Sequence, residues 1–440
     1  MSNSSHGVST LLGSFAFFII IGAVYNWGIV SDYYSSYLLK NTGNINSFSL
    51  SKLGVSFLLL FEYVVMSVNS CITFISLKNC VLVGLLLNLV SYFVLIFVSS
   101  VAIFFLAMIL IGIGNGVIYL KLINNTWMFF PQYKGQVSGL LLGGLGLSAF
   151  LLNPLANYMI NPTKVGYDYQ MYYLFSIPER TQNYIVFLFF FFSLIGCVGY
   201  YNIYDYAEEE IKVPQVESRD KGEEIENPLN LSSVTDGLFT LQFAKLATIT
   251  FSLAFFSIFL SITYPSYARL KDVDEFLVNL TCVFFPFING FGRIIWGFLA
   301  DIFSYKKLLE VVFICQIITI ILLLIFNNEI MLFILILLGA VCLSGKVGIL
   351  PITYNKVFGK RYGVLIFGVG LSTVGISSVI TSFLVNLKIS LSIIYLIGGA
   401  ICIAGLFVLR TLEEEKKEEE VKDVNHLEEL SQLLLHDKSN

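Results

Sequence analysis

Charge is scarce in this chain. Only 13% of its 440 residues are Asp, Glu, Lys or Arg, about half of the roughly 25% found in soluble domains. A water-facing shell cannot be built from that supply. Histidine is scarcer still. His6 lies near one end and His426 and His436 near the other, outside every apolar run, which excludes a histidine-based triad or metal centre within the membrane. The seven cysteines (Cys71, Cys80, Cys197, Cys282, Cys315, Cys342 and Cys402) fall in or beside apolar runs without CxxC spacing. They read as buried free thiols, not a disulfide framework. No basic stripe suggests nucleic acid. The apolar stretch GLLLGGLG at 139–146 lacks the Lys-Ser/Thr of a phosphate loop, and no polar run is long enough for a nucleotide domain. The chain therefore reads as a non-enzyme without a cofactor.

Hydrophobic residues are plentiful: 56% of the chain, with 40 Phe and 24 Tyr. A spanning helix needs about 20 mostly apolar residues. Twelve runs qualify: 11–30, 53–76, 79–99, 101–122, 135–159, 184–204, 243–265, 276–300, 307–326, 330–354, 362–386 and 389–410. Only Ser99 and Ser100 separate the third from the fourth. The head MSNSSHGVST lacks a cationic region, so the first run reads as a transmembrane helix and not as a cleaved signal.

The runs form two sets of six. Of the 30 acidic residues, ten lie in 205–236 and ten in 411–440. The stretch 205–242, with Pro214 and Pro228, reads as a mobile acidic linker. The tail 411–440 reads as solvated, with LEELSQLLLH as a short amphipathic stretch. The expected division is a six-helix half at 1–204, the linker, a second half at 243–410 and the tail. An even number of spans puts linker, tail and both termini on one side, most simply the cytosol, with the plasma membrane as the default. Loop cations divide seven against seven between the sides: Lys78, Lys134, Lys306, Lys307, Lys356, Lys360 and Arg361 against Lys40, Lys52, Lys164, Arg180, Arg269, Lys271 and Lys388. Orientation thus rests on architecture, not on the positive-inside rule. Two six-helix halves around a linker is the pattern of a duplicated carrier, with substrate bound near the midplane between them.

The sharpest motif is NGFGRIIWGFLADIFSYKK, Asn289 to Lys307. Gly297, Asp301, Lys306 and Lys307 read as G-x-x-x-D-x-x-x-x-K-K. A glycine there permits close helix approach, the aspartate caps a helix end and the cations clamp a neighbouring end. This resembles the gating loop signature of the major facilitator superfamily. The first-half counterpart, near Asn69–Cys80, reads NSCITFISLKNC without an Asp. Four further stretches are similar to the oxalate/formate antiporter and monocarboxylate-porter-like group. They are GAVYNWG at 22–28; Gly112, Gly114, Gly116 and Tyr119; Trp127 and Pro131 with Lys134, Gly135, Ser138, Gly139, Gly143, Gly146 and Pro154; and Pro351, Phe358, Gly359, Gly363, Phe367 and Gly368. The resemblance implies an all-α membrane fold with twelve helices in two halves.

Polar groups at membrane depth mark candidate sites. Insertion scales charge about 2.5–3.5 kcal/mol for Arg or Lys at a helix centre. Arg293 lies eight residues before Asp301, roughly 12 Å along the helix. The resembled porters carry a substrate-binding Arg on the eighth span, and a guanidinium suits a carboxylate. The alternative is an Arg that pairs with a helix end. Lys346, in LSGKVGILP, reads as a second cation for an anion, or as a lysine that snorkels or pairs with Glu62. Glu62 itself reads as a coupling carboxylate, a counter-ion or a neutral buried carboxyl. Tyr25, Trp27 and Tyr119 suit substrate contact or interhelical packing. Gly139, Gly143 and Gly146 suit close helix contact.

Two departures from the resembled group matter. Proton-linked porters carry an Asp where this chain has Asn289, and the antiporters carry a Lys where it has Val374. Loss of that lysine argues against a dicarboxylate such as oxalate unless Lys346 compensates. The expected function is secondary or facilitative transport of a small organic anion, in particular a monocarboxylate, with a coupling proton or counter-anion as partner. An amino acid or sugar carrier, or a non-transporting receptor, are the alternatives.

Overall fold

The computed structural model describes residues 2–44, 46–70, 75–163, 176–206, 229, 231–386 and 389–412. Residues 71–74 of the first-half loop expectation (Asn69–Cys80), most of the linker and nearly all of the tail lie outside them. The described residues are helical throughout: α1 (Ser2–Thr42), α2 (Ser47–Ser70), α3 (Leu77–Ile96), α4 (Val101–Phe129), α5 (Lys134–Ile160), α6 (Ile177–Asn202), α7 (Val234–Leu238), α8 (Leu241–Leu270), α9 (Glu275–Ile302), α10 (Tyr305–Ile325), α11 (Glu329–Gly370), α12 (Ser372–Asn386) and α13 (Leu391–Arg410). Among the described residues, twelve helical stretches are long and apolar enough to cross a membrane. A helix satisfies its own backbone hydrogen bonds, which lipid cannot do.

Local chemistry sets the boundaries. Ser100 caps α4 by accepting from the Ile103 N–H, and Ser76 caps α3 through Asn79. Each such cap satisfies a donor that has no helical partner, worth about 1 kcal/mol. One serine thus splits what is otherwise a continuous apolar stretch. The tenth and eleventh spans, Glu329–Gly359 and Tyr362–Leu384, meet at Gly359, whose φ of 78° lies in the left-handed region that glycine enters without strain. The first helix runs well beyond the apolar window of 11–30. It continues because Thr10, Ser14, Ser31, Ser35 and Ser36 are buried against neighbouring helices.

The first half is α1 to α6 and the second α8 to α13. The short α7 precedes the second half, docked on α11 where Gly237 meets Ile366 and the Tyr362 hydroxyl donates to the Ser232 carbonyl at 2.9 Å. Hydrogen bonds from Ser232 and then Ser233 hold the Asp236 carboxyl of α7 below its usual range.

Two seams join the halves. In one, α5 packs on α9. A Cβ on Gly146 would lie 2.4 Å from the backbone of Gly290, and one on Gly297 would lie 2.3 Å from the Gly135 carbonyl. In the other, α2 packs on α12 and α11. There the Ser67 hydroxyl donates to the Gly368 carbonyl at 2.8 Å, and the Ser56 and Ser382 hydroxyls meet at 2.5 Å. Small residues let backbones touch, which is how helices gain van der Waals contact when lipid offers no hydrophobic drive.

Gly146→Leu is therefore expected to push α5 from α9 at a cost of about 1–3 kcal/mol. Gly28→Ala, where a Cβ meets nothing within 4 Å, is expected to leave stability unchanged. Thermal unfolding of the detergent-solubilised variants checks both.

Candidate substrate-binding cavity

Between the seams lies a cavity of about 200 Å³, lined by residues of both halves. Four helices supply its inner wall: Tyr25 from α1, Glu62 and Tyr63 from α2, Tyr119 from α4 and Lys346 from α11. It reaches Lys52 near the start of α2, whose side chain is partly exposed and pairs with Asp32 at 3.4 Å. The cavity therefore extends toward the side opposite the Asp301 loop. Pro265 of α8 and Pro286 of α9 also line it. A proline inside a helix removes one backbone hydrogen bond and bends the helix.

Tyr25, Trp27, Tyr119, Asn289, Lys346 and Glu62 all border this one cavity. Trp27 is nearly enclosed, edge-on to Tyr34 with ring centroids 5.5 Å apart. The Glu62 carboxylate accepts one hydrogen bond, from Asn115 Nδ2 at 3.1 Å. Lys346 is buried to 4% exposure and makes no hydrogen bond or ion pair with the described residues, so the expected alternative of a Glu62 pairing is not formed.

Arg293 is placed differently. It is wholly buried and is absent from the cavity wall. Its guanidinium donates from α9 to the Leu142 carbonyl of α5 at 2.8 Å, to the Tyr25 hydroxyl at 3.1 Å and to Asn289 Oδ1 at 3.3 Å. It also lies 5.3 Å from the centroid of the Tyr25 ring. The expected direct grip on substrate is thus replaced, in this conformation, by a tie across the seam. Asn289 is one turn away on the same helix face and Tyr25 stands between guanidinium and cavity. No carboxylate pairs with Arg293 among the described residues.

Sequence reading missed several wall residues. Lys52, Ser56, Leu59 and Tyr63 recur at helical spacing along α2 and line the cavity beside the expected Glu62. That stripe was legible, since Lys52 and Ser56 are polar in an apolar run. Ser378, whose buried hydroxyl lacks a partner, and Tyr264, stacked on Phe285 at 4.6 Å, carry no comparable signal.

The loop motif sits at the other end. Asp301 accepts from the backbone N–H of Gly135 at 2.8 Å and of Gln136 at 3.0 Å, the first turn of α5. A carboxylate there compensates the helix dipole. Lys306 donates to the carbonyls of Leu412 at 2.6 Å and Arg410 at 3.4 Å, just past α13. Lys307 is exposed. The Asp301 contacts hold α9 to α5 on the motif side, while Lys306 ties α10 to the end of α13 within the second half.

A polytopic helical protein with a cavity between two halves and a charged clamp across one seam is built as a solute carrier, not as an enzyme. The Major Facilitator Superfamily pattern matches residues 16–357 and 246–437, and the chain belongs to that superfamily. The crystal structure of a variant of the nucleoside transporter NupG superimposes with a TM-score of 0.61 at 10% identity, covering 93% of this chain and 100% of that one. FucP, a Major Facilitator Superfamily transporter in the outward conformation, superimposes at 0.60 and 12% identity, covering 91% and 100%. These likenesses establish the fold. In sequence, the Toxoplasma gondii protein named Apicoplast pyruvate carrier 1 is 24% identical over 36% of this chain and 36% of its own length. The match spans about a third of that relative.

Asp301→Asn keeps the shape of the clamp but weakens its charge-assisted bonds. It is expected to raise the reactivity of an introduced Ser67→Cys thiol toward a hydrophilic maleimide, measured in a cysteine-free background, as the motif side opens more often.

Proposed function

We propose that this transporter carries a small organic anion of the monocarboxylate class by alternating access between its halves. The observation that carries the reading is the unpartnered Lys346 ammonium on the cavity wall, with Arg293 behind Tyr25 and Asn289. Two cations and one acid, Glu62, leave one positive charge uncompensated at the inner end of the cavity. A buried charge without a counter-ion is unfavourable, so a carboxylate that arrives there is bound by the deficit it removes. The pyruvate named for the relative is a solute of this kind.

The Arg293 tie gives binding a route to motion. Its bonds run from α9 to α5 and α1, so an anion that draws the guanidinium toward the cavity weakens the seam those bonds hold. Rocking of the halves then moves the opening from the Lys52 end to the Asp301 end. Glu62 is the candidate for a coupling proton. The motif side, with both chain ends, is assigned to the cytosol. The plasma membrane is the default location, and the relative's name makes an organelle membrane the alternative.

The test is uptake of labelled monocarboxylates into proteoliposomes at two external pH values. Lys346→Gln and Arg293→Gln are each expected to lower kcat/KM about tenfold or more, the scale of losing a hydrogen bond to a charged group. Uptake that rises as external pH falls identifies proton symport. Folded wild-type protein that moves no acid, or a Lys346→Gln variant that matches wild type, overturns the anion reading in favour of a neutral solute.

A further inference from the structure

Asn153 of α5 is buried to 5% exposure, yet it lines the cavity. A chain of hydrogen bonds fixes which end of its amide is left over. The Tyr184 hydroxyl of α6 donates to Asn26 Oδ1 of α1 at 2.9 Å, and Asn26 Nδ2 donates to Asn153 Oδ1 at 2.9 Å. The Asn153 oxygen is thereby occupied. Its Nδ2 has no partner among the described residues, and a buried amide donor left unpaired is costly. We propose that this amide forms an outer binding station, where a carboxylate oxygen of the incoming substrate is held before it reaches Lys346. The proposal rests on the anion reading above and adds a second site to it.

Contacts between helices set the depth of the station. A Cβ on Gly139 of α5 and one on Gly348 of α11 would lie 2.7 and 3.2 Å from the same Arg293 carbonyl, so those two glycines share a level. Lys346 stands two residues from Gly348 toward the mouth, and Asn153 stands fourteen residues from Gly139 in the same direction. At 1.5 Å per residue, their backbones are roughly 18 Å apart along the helices. That gap is several times the length of a three-carbon acid, so the two groups are successive stations and not two ends of one grip. One turn beyond Asn153, Asn157 accepts from the hydroxyl of Tyr33 at 2.9 Å, beside the mouth residue Asp32. Asn153 therefore lies between the mouth and Lys346.

The surroundings suit a carboxylate on a short carbon chain. The Phe150 and Phe287 rings meet at 5.0 Å, which brings the Asn153 end of α5 level with the part of α9 that carries Phe285 and Pro286. Those two residues line the cavity, and Phe285 is backed by its stack on Tyr264. An amide donor thus shares this depth with an apolar wall. Asn153 carries no charge, so it holds an anion less tightly than an ammonium does and releases it inward to Lys346.

Gly28 supplies the readout. It lines the cavity two residues past Asn26, and a Cβ there meets nothing within 4 Å. In a cysteine-free background, Gly28→Cys is labelled with a small hydrophilic thiosulfonate, with and without lactate. Lys346→Gln is added to disable the inner site, and lactate is expected to go on slowing the labelling. That measurement leaves Asn153 intact, so it stands whether or not any Asn153 variant folds. Asn26→Leu together with Asn153→Leu then removes the donor and its supporting partner at once, and leaves the Tyr184 hydroxyl its bond to the Leu152 carbonyl at 3.3 Å. In the Lys346→Gln protein this pair is expected to raise the lactate concentration for half-protection about tenfold or more, the scale of losing a hydrogen bond to a charged group. Tyr184→Phe, which acts only by loosening the relay, is expected to raise it about threefold. If lactate gives no protection once Lys346 is replaced, or if the folded Leu pair leaves protection unchanged, the outer station is overturned. The anion reading then stands, because uptake by wild type tests it separately. If wild type moves no monocarboxylate, the anion reading falls and the station falls with it.

Discussion

The bilayer offers a polar group no water, and the whole arrangement follows from that constraint. Backbone groups are satisfied within helices, and each polar side chain held at depth must find a partner or a cavity. Arg293 finds two backbone and side-chain acceptors on other helices and a third on its own. Glu62 finds Asn115 and the cavity. Lys346 finds the cavity alone. The unequal satisfaction of these three groups separates Arg293, held on three sides, from Lys346, which faces only the cavity.

The same constraint shapes the seams. With lipid as apolar as any side chain, helix association depends on close packing, and glycines supply it where α5 meets α9 and where α4 meets α2. Close packing is stiff, so contacts across a seam are made or broken together and not stretched one by one. Asp301, at the end of α9 and accepting from the first turn of α5, is placed where such breaking is cheap, at helix ends near water. Arg293 is placed where it is costly, in the buried middle of the same seam.

Much of the fold was legible from composition and run length. The twelve spans follow from the thickness of a bilayer and the rise of a helix, and they recur in the structure with shifted ends. The ends shifted where polar residues are buried between helices, as along α1, because an apolar window cannot recognise a serine that faces another helix. The candidate site residues were equally visible, and Tyr25, Trp27, Glu62, Tyr119, Asn289 and Lys346 border one cavity. Which of them touches the cavity was not visible. Arg293 and Asn289 differ by one helical turn, yet Asn289 lines the wall and Arg293 lies behind it.

The sequence by itself determined the class of solvent, the number of spans, the glycine contacts and the short list of charges that the membrane tolerates only for a purpose. These depend on local chemistry and on the period of the helix. Only the tertiary structure decided that Tyr25 shields Arg293, that Lys346 has no partner, that Tyr63, Tyr264 and Ser378 complete the wall, and that Glu62 and Lys346 share one cavity without pairing. Those facts depend on how helices far apart in sequence are rotated against one another, and helical rotation is set by the packing of every neighbour at once.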